Sequence, residues 1–179
     1  LAAALAAPMV AESAQAVADT RHAQRHALTA LATELQQTPA TAQTLDRLAW
    51  SHFTLAYMGE DDTELMRELG ALMQSAAQAV LPQFSEAPAG AHPARVVLVG
   101  SVFRDCTAGA YFGGWIDWLR DAGFEVVVYQ LGPRRDAETE RMAAAASRFH
   151  YIDEATALDS VAEQLHAESA GLILYPELG

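Results

Sequence analysis

The sequence of 179 residues contains no lysine and only one cysteine, Cys106. A single cysteine excludes a disulfide within the chain and a zinc site built from several cysteines, and it fits a reducing compartment. With 23 acidic and 11 basic residues the formal net charge is -12. That charge argues against a nucleic-acid binder or a protein of anionic membranes, since both need an electropositive surface. We therefore expect a cytoplasmic protein whose partners are small molecules or selected proteins.

The sequence also has no apolar run long enough to span a bilayer. The opening stretch, LAAALAAPM, lacks the basic region of a signal peptide and is interpreted as the end of a preceding helix. Neither the glycine fingerprint of dinucleotide-binding folds nor a Walker motif occurs. Because the chain begins with Leu1 and ends at Gly179 directly after an apparent strand, we expect it to be a fragment.

The first part of the chain, residues 1–84, has the composition and apolar spacing of stacked helices. Two helices joined by a short turn resemble a tetratricopeptide-type repeat, but the signature is not repeated cleanly, so an ordinary helical bundle or cap is the alternative. The predicted helices are Met9–Gln37, Thr41–Met58, and a third one that Asp61 or Asp62 caps and Pro82 ends.

The second part of the chain follows a linker at Ser85–Pro93 and alternates strands with helices. This alternation is typical of a doubly wound parallel sheet, so the predicted fold class is α/β, with a Rossmann-like domain over residues 94–179. The predicted strands are Arg95–Val99, Glu125–Leu131, Phe149–Ile152 and Gly171–Tyr175; the helices between them cover 110–121, start near Asp136, and start at a Thr156–Asp159 capping box.

Ligands of such sheets bind at the carboxyl ends of the strands, so the loop after the first strand is the first candidate site. A thiolate nucleophile at Cys106 would need a base, and no histidine lies close to it in sequence, so a packed or pocket-lining thiol is favoured. The candidate residues are Ser101, Arg104, Asp105, Cys106 and Thr107, together with Glu177 after the fourth strand.

Three arginines, Arg104, Arg134 and Arg135, fall in loops at this predicted edge. Arginine offers fixed, bidentate donors, so these residues could hold an anionic group such as a phosphate, or they could simply be exposed. Gly113 and Gly114 interrupt the following helix, which calls either for close packing or for the approach of a ligand to the backbone.

Four stretches carry a family resemblance, which covers about residues 94–179. VVLVGSVFRDCTAGAYFGGWIDWL, FEVVVYQLG, RFHYID and GLILYPELG, in this order and spacing, resemble the amino-terminal catalytic lobe of bacterial O-linked N-acetylglucosamine transferase-like proteins, the relatives of SPINDLY. HFTLAYMGEDDTELMRELGALMQ resembles the helical connector that precedes this lobe in the family.

The resemblance implies a GT-B fold, in which two Rossmann-like lobes enclose the active site. It implies transfer of a sugar from a UDP-sugar to a protein side chain, with no metal or other cofactor. The nucleotide would be held mostly by a carboxy-terminal lobe outside this chain. The helices and the amino-terminal lobe would face an acceptor protein or peptide, so this chain alone is expected to be inactive.

One residue departs from the family pattern. In the family, a phenylalanine in the loop after the first strand is followed three residues later by an active-site histidine, and counting from Phe103 places Cys106 there. A thiol does not replace imidazole as a proton acceptor or donor at neutral pH. Two hypotheses follow: a protein-modifying glycosyltransferase, and a non-catalytic binding or scaffold protein that retains the fold. Arg104 and Asp105 are expected to help hold the loop.

Overall fold

The computed structural model of the protein describes residue 8 and residues 10–48, 53–86 and 92–176. They fall in two compact units, one within Leu1–Ser85 and one within Glu86–Leu178. Each unit has its own apolar core. Most of the opening stretch, most of the linker and Glu177 lie outside the described residues.

The first unit contains helices α1 (Ala14–Gln37), α2 (Ala42–Leu48) and α3 (Thr63–Val80), with short 3-10 helices at Phe53–Met58 and Pro82–Phe84. Their apolar residues recur at helical spacing and meet in one core. The buried members of that core are Ala27, Leu28, Leu31, Leu48, Leu55, Leu65, Leu69 and Ala76.

The helix starts differ from those predicted for the first unit. α1 begins at Ala14 rather than Met9, because the Ser13 hydroxyl caps it by accepting from the Ala16 N–H at 3.1 Å. The single helix predicted over residues 41–58 is described instead as α2 and a 3-10 helix. Asp62 is the N-cap of α3 but makes no capping bond, since its carboxylate pairs with the buried guanidinium of Arg21.

The second unit is a four-stranded parallel sheet with helices between the strands. The strand order is β3-β2-β1-β4. The chain adds β2 and then β3 on one side of β1, and β4 then pairs with the opposite side of β1. The elements are β1 (His92–Gly100), α4 (Thr107–Asp121), β2 (Glu125–Leu131), α5 (Ala137–Ala145), β3 (Arg148–Ile152), α6 (Leu158–Ala167) and β4 (Ala170–Leu174).

The two faces of this sheet have separate cores, because successive side chains of a strand point to opposite faces. On one face, strand valines and leucines pack with Ile116 of α4 and Met142 of α5. On the other face, alternate strand residues pack with Val161 and Leu165 of α6. Helices therefore cover both faces, and the predicted α/β class with a doubly wound parallel sheet is confirmed.

Two local predictions for the second unit are wrong. The capping box predicted for Thr156 and Asp159 does not form, since α6 begins after Ala157 without a side-chain cap. α4 begins at Thr107, three residues earlier than the predicted 110, because Cys106 caps it. Of the two explanations given for the glycines of this helix, close packing applies to Gly113. A Cβ placed there would lie 2.4 Å from the Met142 methyl carbon of α5, so only glycine leaves room for that side chain.

Candidate functional site

The candidate site lies where the strand order reverses. β1 has β2 on one side and β4 on the other, and the helices that lead to these two strands cover opposite faces of the sheet. In open α/β sheets ligands bind at such a point, outside the carboxyl ends of the two strands that flank it, which here are β1 and β4. The residues that follow β1 and β4 lie close together there, since a Cβ added to Gly100 would lie 3.8 Å from Cδ of Pro176. The β1–α4 loop, residues 101–106, therefore lies at this point of the sheet.

Gln130, near the end of β2, bonds the first half of this loop. Its side chain is completely buried. Its carbonyl oxygen accepts from the Phe103 N–H at 2.9 Å, and its amide nitrogen donates to the Ser101 carbonyl at 3.2 Å and the Leu131 carbonyl at 3.2 Å. The β2 strand thus fixes the backbone of residues that follow β1.

Asp136, which precedes α5, bonds the second half of the loop. One carboxylate oxygen accepts from the Asp105 N–H at 2.9 Å, and the other accepts from the Thr139 N–H at 3.0 Å. The Thr139 hydroxyl in turn accepts from the Asp136 N–H, which completes a capping box. The N–H donors of Thr139 and Asp105 hold the pKa of the Asp136 carboxyl below its usual value.

Cys106 forms the boundary between the loop and α4. Its half-buried sulfur accepts from the Gly109 N–H at 3.3 Å and donates to the Val102 carbonyl at 3.5 Å. A Cβ at Gly109 would lie 2.0 Å from the Arg104 carbonyl oxygen and 2.6 Å from that of Val102. The backbone of the loop therefore occupies the space beside this glycine, and the thiol acts as the helix cap.

The other predicted residues of the loop differ in exposure. Ser101 and Arg104 are half-buried, and the Arg104 Nε donates to the Ser101 carbonyl at 3.2 Å. Asp105 and Thr107 are exposed. The structure thus brings five of the predicted site residues together in the loop and the first residue of α4, whereas Glu177 lies outside the described residues.

The three arginines at this edge have different surroundings. The Arg135 guanidinium carbon lies 3.7 Å from the centre of the Tyr151 ring, a cation–π contact, and Arg134 is exposed. The loop after β3 adds two exposed acids, Asp153 and Glu154. The carboxyl edge therefore carries both signs of charge, and no arginine cluster by itself defines an anion site there.

A second polar cluster lies under α6, around the buried carboxylate of Glu168. The Tyr129 hydroxyl donates to Glu168 Oε1 at 3.1 Å, and the guanidinium of Arg148 pairs with Oε2. Arg95 Nε pairs with Glu125 Oε2 at 2.9 Å and reaches the Glu168 backbone carbonyl through another nitrogen. Burial and the Glu168 carboxylate raise the pKa of Tyr129 to about 12. These groups connect the end of α6 to the three strands β1, β2 and β3.

Sequence reasoning missed Gln130 and Asp136 as residues that hold the site. Gln130 is the one amide side chain inside the buried part of β2, VVVYQ, and a buried amide in a strand is a signal of a specific hydrogen-bonding role. Asp136 stands three residues before Thr139, the spacing of an N-cap pair.

Among the described residues, no group of three or more histidines, cysteines or acids is arranged to hold a metal ion. Within the same residues, no helix is both long and apolar enough to cross a membrane.

Comparison with known proteins gives one structural similarity. No protein-family model matches the chain, and no curated protein matches it. Among solved structures, the chain is similar to a mutant of the Thermobaculum terrenum O-GlcNAc transferase, with 18% sequence identity and a TM-score of 0.47. The similarity covers 89% of this chain and 29% of that protein, so the chain spans less than a third of its length.

Proposed function

We propose that this chain is the helical connector and the acceptor-side lobe of a cytoplasmic protein O-glycosyltransferase. The full-length enzyme would transfer a sugar from a UDP-sugar to a protein side chain, with the UDP-sugar bound mostly by a carboxy-terminal lobe. In support, the four stretches that resemble the transferase family coincide with β1 through α4, β2, β3 and β4 of one parallel sheet. The first unit would serve as a tetratricopeptide-like connector.

The observation that carries the proposal is the position of the β1–α4 loop at the carboxyl ends of β1 and β4, where the strand order reverses. Gln130 of β2 and Asp136, the N-cap of α5, hold its backbone. The side chains of Asp105 and Thr107 are exposed at the same edge, where they can hydrogen-bond an acceptor polypeptide. In the transfer, an acceptor hydroxyl would form the bond to the anomeric carbon while the bond from that carbon to UDP breaks. The hydroxyl proton would pass to a base.

A second candidate is a binding or scaffold protein that keeps the fold without transfer. The contacts of Cys106 favour it, because the thiol donates to the Val102 carbonyl of the loop and accepts from the Gly109 N–H of α4. A sulfur used as a helix cap is poorly placed to take the proton of an acceptor hydroxyl.

The two functions are separated by assaying the full-length protein with a UDP-sugar and peptide acceptors. The transferase proposal predicts UDP release that depends on the acceptor, and little loss in Cys106→Ala, because the cap stabilises the helix and takes no part in the chemistry. Cys106→His is the gain-of-function arm, and Ala144→His on the exposed surface of α5 is its control. Activity that appears with Cys106→His alone would support a scaffold derived from an enzyme. Loss of activity in a folded Cys106→Ala protein would show that the thiol takes part.

A further inference from the structure

We infer that Gln130 is the positioning residue of the β1–α4 loop, and that it holds residues 101–103 in place before any ligand binds. Its consequence for sugar transfer rests on the proposed function, whereas the positioning itself does not.

The first argument is the burial of the carboxamide. Gln130 and the two valines at 126 and 128 alternate along β2 and lie on the face that α4 and α5 cover. Gln130 is 0% exposed, as these valines are. Burying a primary amide is unfavourable unless its donors and acceptor are bonded. An apolar residue would pack there without that cost, so the glutamine is explained by the groups it bonds.

The groups that Gln130 bonds are themselves buried or outside regular structure. Phe103 is also 0% exposed, and its N–H points at the Gln130 carbonyl oxygen, 2.9 Å away. Phe103 and Ser101 lie outside helix and strand, and the Phe103 N–H and the Ser101 carbonyl both bond side chains. Gln130 bonds one donor and one acceptor of this turn at the same time. Removing it leaves a buried N–H and a carbonyl without that partner.

The third argument is geometric restriction from both directions. The Phe103 ring packs in the core shared by β1, β2 and α4, while Asp136 holds the Asp105 N–H from α5. A loop bonded at 101, 103 and 105 has few conformations left, and little ordering entropy remains to be lost on binding. The backbone positions that carry the exposed side chains of Asp105 and, at the start of α4, Thr107 are thus restricted.

Amide hydrogen exchange on the chain as it stands gives the first test and needs no variant. The Phe103 amide should be protected to within about tenfold of the Val127 amide in β2, although it belongs to an irregular loop. Exchange of the Phe103 amide at the rate of an unprotected peptide would overturn the inference.

Two variants give the second test. In Gln130→Met the protection factor of the Phe103 amide should fall about tenfold more than that of Val127, because the loop loses its partners while the strand keeps its ladder. Gln74→Met, at an exposed position of α3, is the matched control and should change neither amide. Equal loss of protection in loop and strand would mean that Gln130 is only a core residue, and no loss at all would mean that it holds nothing.

Gln130→Glu provides a pH profile that general destabilisation would not produce. The protonated carboxyl group can still donate to the Ser101 carbonyl, whereas the ionised group faces that carbonyl and the Leu131 carbonyl with no proton to donate. Burial should raise the pKa of the introduced group above the ordinary ~4.3. The Phe103 N–H can still donate to the ionised group, while the two carbonyls repel it. Protection of Phe103 relative to Val127 should therefore change with pH through this titration, and only in this variant. A pH-independent ratio would contradict the inference.

In the full-length protein, Gln130→Glu should lower the rate of sugar transfer over the same pH range, with a wild-type control. Changed exchange without any transfer in the wild type would leave the positioning role intact and reject the proposed transferase. Transfer in the wild type with unchanged exchange in the Gln130 variants would reject the positioning role alone.

Discussion

The Asp136 carboxylate accepts a hydrogen bond from the backbone N–H of Asp105 at 2.9 Å, across 31 residues of sequence. The same carboxylate caps α5, so one side chain starts a helix and holds the loop that follows β1. Both bonds favour the ionised carboxyl group, which is why its pKa is lowered. The start of α5 and the β1–α4 loop are therefore coupled through a group that titrates in acid.

The first prediction concerns this coupling. Because the folded-state pKa of Asp136 lies below 3.8, its contribution to stability should be present above that pH and lost as pH falls through the folded value. Asp136→Asn should lower the urea midpoint near neutral pH, and the difference from wild type should shrink in acid. Glu154→Gln, in the exposed turn after β3, is the control. A midpoint difference that is constant from pH 7 to pH 2 would contradict this account.

The second prediction compares one substitution at two glycines of α4. Gly109→Ala places a methyl group 2.0 Å from the Arg104 carbonyl oxygen, a backbone atom, so it should destabilise the protein by about 3 kcal/mol. At Gly114 the nearest side-chain atom is 3.9 Å away, so Gly114→Ala should be neutral or should stabilise by up to about 1 kcal/mol through helix propensity. Urea denaturation of both variants measures the difference. Equal effects would mean that the loop does not pack against Gly109 as described.

The strand and helix patterns show how much of the fold could be predicted from the sequence. Valine-rich strands and helices of regular apolar spacing gave the α/β class, because burial on both faces leaves a periodic signal in each segment. The loop was also located correctly at the carboxyl ends of the strands. The contacts that hold the loop could not be predicted from these periodic patterns. Gln130 and Phe103 are 27 residues apart and meet only after β2 pairs with β1.

The misplaced capping box has a similar physical cause. Thr156 with Asp159 and Asp136 with Thr139 both have the spacing of an N-cap pair, so local sequence does not rank them. In the structure the Thr156 N–H donates to the Asp153 carbonyl at 3.0 Å, in the turn before α6. That turn leaves Ala157 as the residue before the helix. The pair at Asp136 differs in having a partner from outside its own segment, the Asp105 N–H, whereas Thr156 is part of a local turn.

The third prediction concerns the cluster under α6. Burial is the larger cause of the raised Tyr129 pKa of about 12, and the Glu168 carboxylate adds to it. In Glu168→Gln the Tyr129 titration, followed by NMR of the ring carbons, should move to lower pH but stay above the ordinary 10.0. Glu163→Gln, exposed on the same helix, should leave it unchanged. An unaltered titration in Glu168→Gln would show that the hydrogen bond does not form.

The stability of the wild-type protein should follow the same titration. A phenol whose folded pKa lies above its unfolded value of 10.0 contributes stability that is complete below the unfolded value and is lost as pH rises toward about 12. The free energy of unfolding of wild type should therefore fall more steeply between pH 10.0 and about 12 than that of Tyr129→Phe, which has no phenol to titrate. Parallel curves over this range would contradict the assignment.

The proposed role of the β1–α4 loop is tested most directly by acceptor-dependent UDP release from a UDP-sugar, measured on the full-length protein at varied acceptor concentration. Release should saturate with acceptor. Asp105→Ala and Thr107→Ala should raise the acceptor KM about tenfold, as loss of one good hydrogen bond allows, while Asp159→Ala on α6 should not. Release that does not rise with any acceptor, or a KM that Asp105→Ala and Thr107→Ala leave unchanged, would contradict it.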